Sequence, residues 1–135
     1  MIMHGQVVRY DEVEGFVLED WAGLITFVIR GDECEVTSLN SLREGQGTGA
    51  TLINEVIREA KERNCRRLFL ITTNDNLNAL GFYQKRGFEL SALHRGAIDE
   101  SRKLKPSIPL IGMNNIPLRD EIELEMKLAQ SGTSR

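Results

Sequence analysis

Cysteine is scarce: Cys34 and Cys65 are the only two in 135 residues, and their separation matches neither a disulfide framework nor a metal-ligand spacing. Reduced thiols, as in a cytoplasm, fit such a pair, and no metal site is expected. Long apolar runs are also missing. No stretch approaches the roughly 20 residues that span a bilayer, and Met1-Ile2-Met3-His4-Gly5 lacks the basic-then-apolar order of a signal peptide. A soluble, unexported chain with no membrane partner is the expectation. Nor is there a basic excess, since 17 Lys and Arg stand against 20 Asp and Glu for a net charge of −3. That balance disfavours a nucleic-acid partner, and the local run Lys61–Arg67 reads as a solvated helix end. The two histidines, His4 and His94, sit in no arrangement with a serine or cysteine that suggests a nucleophilic triad.

What the chain does have is 41% apolar residues, enough for one core at this length but not for two. A single domain over residues 1–130 is expected. Ser131-Gly132-Thr133-Ser134-Arg135 brings no apolar side chain to bury, so it reads as a tail.

Up to Glu44 the pattern is strand-like, over Gln6–Tyr10, Gly15–Glu19, Gly23–Arg30 and Cys34–Leu39, with Gly31-Asp32 as a hairpin turn. From Ala50 the period changes: Leu52, Ile53, Val56, Ile57 and Ala60 recur at helical spacing, and Asn64 is a plausible stop. Leu68-Phe69-Leu70-Ile71 is a continuous apolar run, as in a strand covered on both faces. Asn76 can cap a second helix running to about Arg86, with Gly87 ending it. Phe88–Leu93 and the alternating Ile122–Leu128 complete the strands. The fold class is therefore α/β (α+β): a mixed, mainly antiparallel sheet with two main helices and no helix before the glycines. Between Arg95 and Glu121 lies a long connection holding all three prolines. A short helix over Asp99–Lys105 is expected there, with Ile108, Leu110, Ile111 and Ile116 packing inward.

The glycine turn Glu44-Gly45-Gln46-Gly47-Thr48-Gly49-Ala50 lies between a strand and a helix start, where free N–H groups and the positive helix end make an anion site. A nucleoside-triphosphate loop needs Lys followed by Ser or Thr after the glycines, and Ala50-Thr51 stand there instead. A dinucleotide fingerprint fits the spacing Gly45, Gly47, Ala50, but Asp75 is poorly placed as the ribose-binding acid and the preceding strands are antiparallel. A turn that merely links strand to helix is the third reading.

A second motif discriminates among them. Asn76, Ala79, Tyr83, Gly87 and Phe88 follow the pattern Asn-x-x-Ala-x-x-x-Tyr then Gly-Phe. Together with Glu44-Gly45-Gln46-Gly47-Thr48-Gly49 they resemble the two signatures of the GNAT superfamily of N-acetyltransferases. Glu44 departs from the Arg or Gln usual at its place. Thr72–Asn76 and Arg119–Glu123 resemble a short subgroup of that superfamily. The resemblance implies a GNAT-like sheet with a splayed strand pair, acetyl-CoA as cosubstrate and an amine as acceptor. It implies pyrophosphate contacts from Glu44 through Ala50, pantetheine contacts from the main chain of Thr37, Ser38 and Leu39, and cofactor contacts from Asn76, Ala79 and Tyr83.

Asn76, Ala79 and Tyr83 fall on one helical face, with the small Ala79 leaving room for a ligand. A phenol, with a pKa of about 10, is protonated at neutral pH and can donate to a departing thiolate. Tyr83 is thus the expected general acid. An alkyl ammonium must lose a proton before it attacks, and Glu35 is the expected base because its strand parity matches Thr37 and Leu39. Glu33 is a substitute. His94 and Arg95 are possible substrate contacts, and Cys65, although its neighbours Arg66 and Arg67 could lower its pKa, receives no role. The missing N-terminal helices suggest an acceptor site completed by the Arg95–Glu121 connection or by a second subunit in a homodimer. A module that binds CoA without turnover is the alternative from another functional class.

Overall fold

The computed structural model describes residues 6–10, 13–18, 21–41 and 47–129. The tail residues 131–135 and the turn residues Glu44, Gly45 and Gln46 lie outside them. Two compact units make up the chain, Leu70–Met126 and the residues on either side of it.

In the first unit, strands β1 (Gln6–Tyr10), β2 (Val13–Val17), β3 (Gly23–Arg30) and β4 (Glu33–Ser41) form an antiparallel meander. Gly31, at the β3–β4 turn, has φ +63, the left-handed backbone that a tight hairpin demands and glycine supplies. Helix α1 (Thr48–Glu62) packs on β2, β3 and β4. Leu52, Ile53, Val56 and Ala60 are fully buried beside Ile25, Phe27 and Cys34, as the helical spacing predicts. The helix ends at Arg63, and Asn64 continues with φ +63, a conformation that asparagine tolerates. Arg63 also ties α1 to β2, since its guanidinium grips the buried Glu14 with two nitrogens and reaches Glu59 at 2.8 Å. No α-helix precedes α1 among the described residues.

Strand β5 (Arg67–Thr73) runs from the first unit into the second. Its alternate residues Leu68 and Leu70 are buried, but Phe69 is only half-buried, under the Arg67 guanidinium at 4.3 Å, and Ile71 is 40% exposed. The apolar run therefore does not signify a strand covered on both faces. One face is packed, and the other carries apolar side chains toward solvent.

The second unit continues with α2 (Leu77–Lys85), β6 (Glu89–His94), α3 (Ala97–Leu104) and β7 (Glu121–Lys127). Its strands run β5-β7-β6, with β6 and β7 antiparallel. Gly87 follows α2 with φ +101, and Phe88 packs beneath it at 2% exposure. The β6–β7 connection corrects its sequence reading. Leu110 and Ile111 are 70% and 52% exposed, and Ile108 and Ile116 are half-buried. Hydrogen bonds hold the segment instead. Arg102 donates to the carbonyls of Ile108, Pro109 and Leu118 at 2.7–3.0 Å, and a single bridge joins Ile111 to Pro117.

Candidate functional site

The sequence reading puts an anion site at the first turn of α1. Gly47 is its N-cap with φ +77, a left-handed conformation that costs a side-chain-bearing residue about 1–2 kcal/mol. Thr48, Gly49 and Ala50 are then the first three helical residues, whose N–H groups have no partner within the helix. Thr51 N donates to Gly47 O at 2.9 Å and closes the first turn. Gly23 on β3 sets how closely that turn approaches the sheet, because a Cβ there would lie 2.7 Å from Thr48 Cγ2 and 2.9 Å from Leu52 Cδ1.

β4 contains a β-bulge at Thr37. Thr26 pairs with Ser38 but Phe27 pairs with Val36, so Thr37 has no opposite residue. The Thr26 hydroxyl lies 2.7 Å from that of Thr37 and 2.6 Å from that of Ser38, bringing three hydroxyls to one face. The bulge inverts the alternation beyond it. Leu39 opposes Ile25 and Glu35 opposes Val28, so Glu35 and Leu39 point to opposite faces, contrary to the parity reading. Glu35 keeps the company of Thr37 and Ser38. Its side chain is 22% exposed and paired to Arg30 at 3.1 Å; Glu33 meets Arg67 at 3.5 Å.

In the second unit, Asn76 caps α2, its side chain accepting from Ala79 N at 3.0 Å. Asn76, half-buried Ala79 and Tyr83 thus share one face, as the spacing implies. Tyr83 is 7% exposed. Its ring meets Phe82 and Phe88 edge-on at 5.0 and 5.4 Å between centroids. Burial alone pushes its hydroxyl up to about 12 from 10.0, and the phenol stays neutral through the physiological range. That hydroxyl is not among the enclosed, unpartnered polar atoms of the described residues.

Cys65 is assigned no role. It is fully buried, and burial raises its thiol despite the opposing charge of Arg63. Cys34, also buried, is pushed up to about 12 by burial and by Cys65. Both thiols are free and buried, surroundings that disfavour the reactive thiolate. His94 pairs with Glu123 at 3.1 Å, while Arg95 is exposed.

Sequence reasoning weighed Asp75 only as a ribose-binding acid and missed its burial. Only 2% exposed, its carboxylate accepts Met113 N at 2.7 Å through Oδ2, and its carbonyl accepts from the Asn114 side chain at 3.1 Å. Burial acts to raise its pKa, but hydrogen bonds from Thr73, Met113 and its own backbone outweigh that and hold it low. An acid at a strand end inside a polar run carries no periodic signal of burial.

Residues 7–88 match the model of the "Acetyltransferase (GNAT) family". The chain is 43% identical over 126 residues to the Uncharacterized protein YdhI of Bacillus subtilis (strain 168), covering 90% of this chain and 79% of that one. It is 42% identical over 132 residues to YxbD of the same organism, covering 95% and 83%. In fold it is similar to a GNAT family acetyltransferase from Elizabethkingia anophelis with acetyl-CoA bound, with a TM-score of 0.76 at 23% identity over 87% of this chain and 77% of that one. It is likewise similar to a Bacillus subtilis acetyltransferase in complex with CoA, with a TM-score of 0.73 at 23% identity over 87% and 76%.

Proposed function

The chain belongs to the acetyltransferase (GNAT) family and is an acyltransferase, and from that premise we propose that it moves the acetyl group of acetyl-CoA to a primary amine by direct attack. The amine nitrogen adds to the thioester carbonyl carbon, the C–N bond forms, and the C–S bond breaks with its electron pair left on sulfur. Tyr83 donates its proton toward that sulfur as general acid, and Glu35 takes the surplus proton of the amine. The observation that carries the reading is the buried, neutral phenol of Tyr83 on the helix that Asn76 caps.

In this reading the N–H groups at the start of α1, with Glu44, Gly45 and Gln46 before them, hold the pyrophosphate. The main chain of Thr37, Ser38 and Leu39 meets pantetheine, beside the bulge that interrupts the β3–β4 register at Thr37. Asn76 and Ala79 line the cofactor, Asn76 through its amide nitrogen because its oxygen serves the cap. Glu35 must exchange Arg30 for the substrate ammonium to act as base. A homodimer belongs to the same proposal. Its support is β6, the last strand in its unit's order, with Leu90 and Leu93 56% and 61% exposed.

The test is release of free thiol from acetyl-CoA on a panel of primary amines, with the acetylated product identified by mass. Tight CoA binding without release on any amine favours the non-catalytic module instead.

A further inference from the structure

The chain has one tryptophan, Trp21, and the β2–β3 hairpin holds it in a way that folding does not explain. Leu18 N donates to Gly23 O at 3.0 Å, and Trp21 N donates to Leu18 O at 2.9 Å. Trp21 then has φ +56, a left-handed backbone that glycine takes without strain and a bulky residue does not. Its side chain is 63% exposed, although its neighbour Ala22 is buried. Among the described residues no aromatic ring or cation meets the indole. A glycine would relieve the backbone and a polar side chain would suit the exposure, so the fold gains from neither property. Strain held at one exposed aromatic points to a ligand.

The place of the hairpin says which ligand. Gly23 pairs with Ser41, the last residue of β4, so Trp21 lies past the end of that strand, where the chain goes on to α1. Gly23 also sits against the helix start, since a Cβ on it would lie 2.7 Å from Thr48 Cγ2. Two residues of chain reach at most about 7 Å. Trp21 therefore flanks the first turn of α1, whose N–H groups are proposed to hold the pyrophosphate, and both belong to one compact unit.

We propose that Trp21 is the stacking platform for the adenine of CoA. This rests on the CoA reading of that turn. Adenine is joined to the pyrophosphate through a single ribose, and it offers a flat π-face that an indole can cover without any hydrogen bond. An exposed tryptophan beside the phosphate-binding turn meets that requirement.

Because the chain has one tryptophan, its intrinsic fluorescence reports on Trp21 alone. CoA should quench it, whereas 4′-phosphopantetheine, which lacks the adenosine, should not. By calorimetry, Trp21→Gly should raise the Kd of CoA about tenfold and leave that of 4′-phosphopantetheine unchanged, and Trp21→Phe should recover most of the loss. Trp21→Gly should also unfold at the same or a higher denaturant midpoint by circular dichroism, because glycine accepts the left-handed backbone. A tryptophan kept for packing would lower that midpoint when removed, and such a fall overturns the proposal. So does equal quenching by the two ligands, or an unchanged CoA Kd in Trp21→Gly. Fluorescence that changes on dilution without CoA makes a second copy the occupant and overturns it too. CoA binding seen by calorimetry with silent fluorescence overturns the adenine platform and leaves the cofactor reading standing; absence of CoA binding overturns both.

Discussion

Tyr83 and Phe88 meet edge to face, their ring centroids 5.4 Å apart and their planes at 73°. Four residues separate them, and α2 ends between them at Lys85, with Gly87 following the cap. The contact explains why the two parts of the second motif, the tyrosine and the Gly-Phe pair, occur together. Phe88 buries the ring whose hydroxyl is the proposed general acid, and Gly87 provides the left-handed turn that lets the chain come back underneath it.

Burial of Tyr83 has a consequence for alkaline stability. A phenol raised from 10.0 to about 12 on folding contributes stability that is fully present below the unfolded value and is lost as pH rises through the folded one. Two units correspond to about 2–3 kcal/mol. The unfolding free energy of the unaltered chain should therefore fall between pH 10 and 12 by about that much more than that of Tyr83→Phe. Equal losses contradict a buried neutral phenol.

Gly23 is predicted to couple the sheet to cofactor binding. In Gly23→Ala the new methyl would press on Thr48 and Leu52, costing about 1–3 kcal/mol by overpacking and displacing the turn whose N–H groups are proposed to hold the pyrophosphate. Chemical denaturation and a CoA titration should both register the change. A variant that loses stability yet binds CoA as before would separate that turn from the cofactor.

Glu35→Gln tests the base. Loss of general base catalysis costs about 10²-fold or more in kcat, with CoA affinity unchanged. Single-turnover rates near those of the unaltered chain would leave Glu35 as the partner of Arg30 and nothing more.

The thiols should be silent. With Cys34 pushed up to about 12 and Cys65 raised, both fully buried, a thiol-specific reagent at pH 8 should modify neither in the folded chain and both in denaturant. Prompt reaction of the folded chain contradicts the burial that fixes the α1 end of the core.

Local signals were legible in the sequence. The apolar spacing of α1, the cap at Asn76 and the glycines at 31, 47 and 87 each answer to one element and its immediate neighbours. What escaped depends on pairing between segments. The bulge at Thr37 exists only in the register of β3 against β4, and it reversed the inferred relation of Glu35 to Leu39. The same holds for Asp75, whose burial comes from Gly112 and Met113 some 38 residues on. The apolar residues of the β6–β7 connection looked like core because composition cannot tell a loop packed by its side chains from one held by its backbone.

Thiol release from acetyl-CoA on a reactive primary amine, compared between the unaltered chain and Tyr83→Phe, tests the central claim most directly. Removal of one hydroxyl from a ring that stays packed should leave CoA affinity intact and lower kcat about 10²-fold or more. Release at an undiminished rate in Tyr83→Phe would contradict the account.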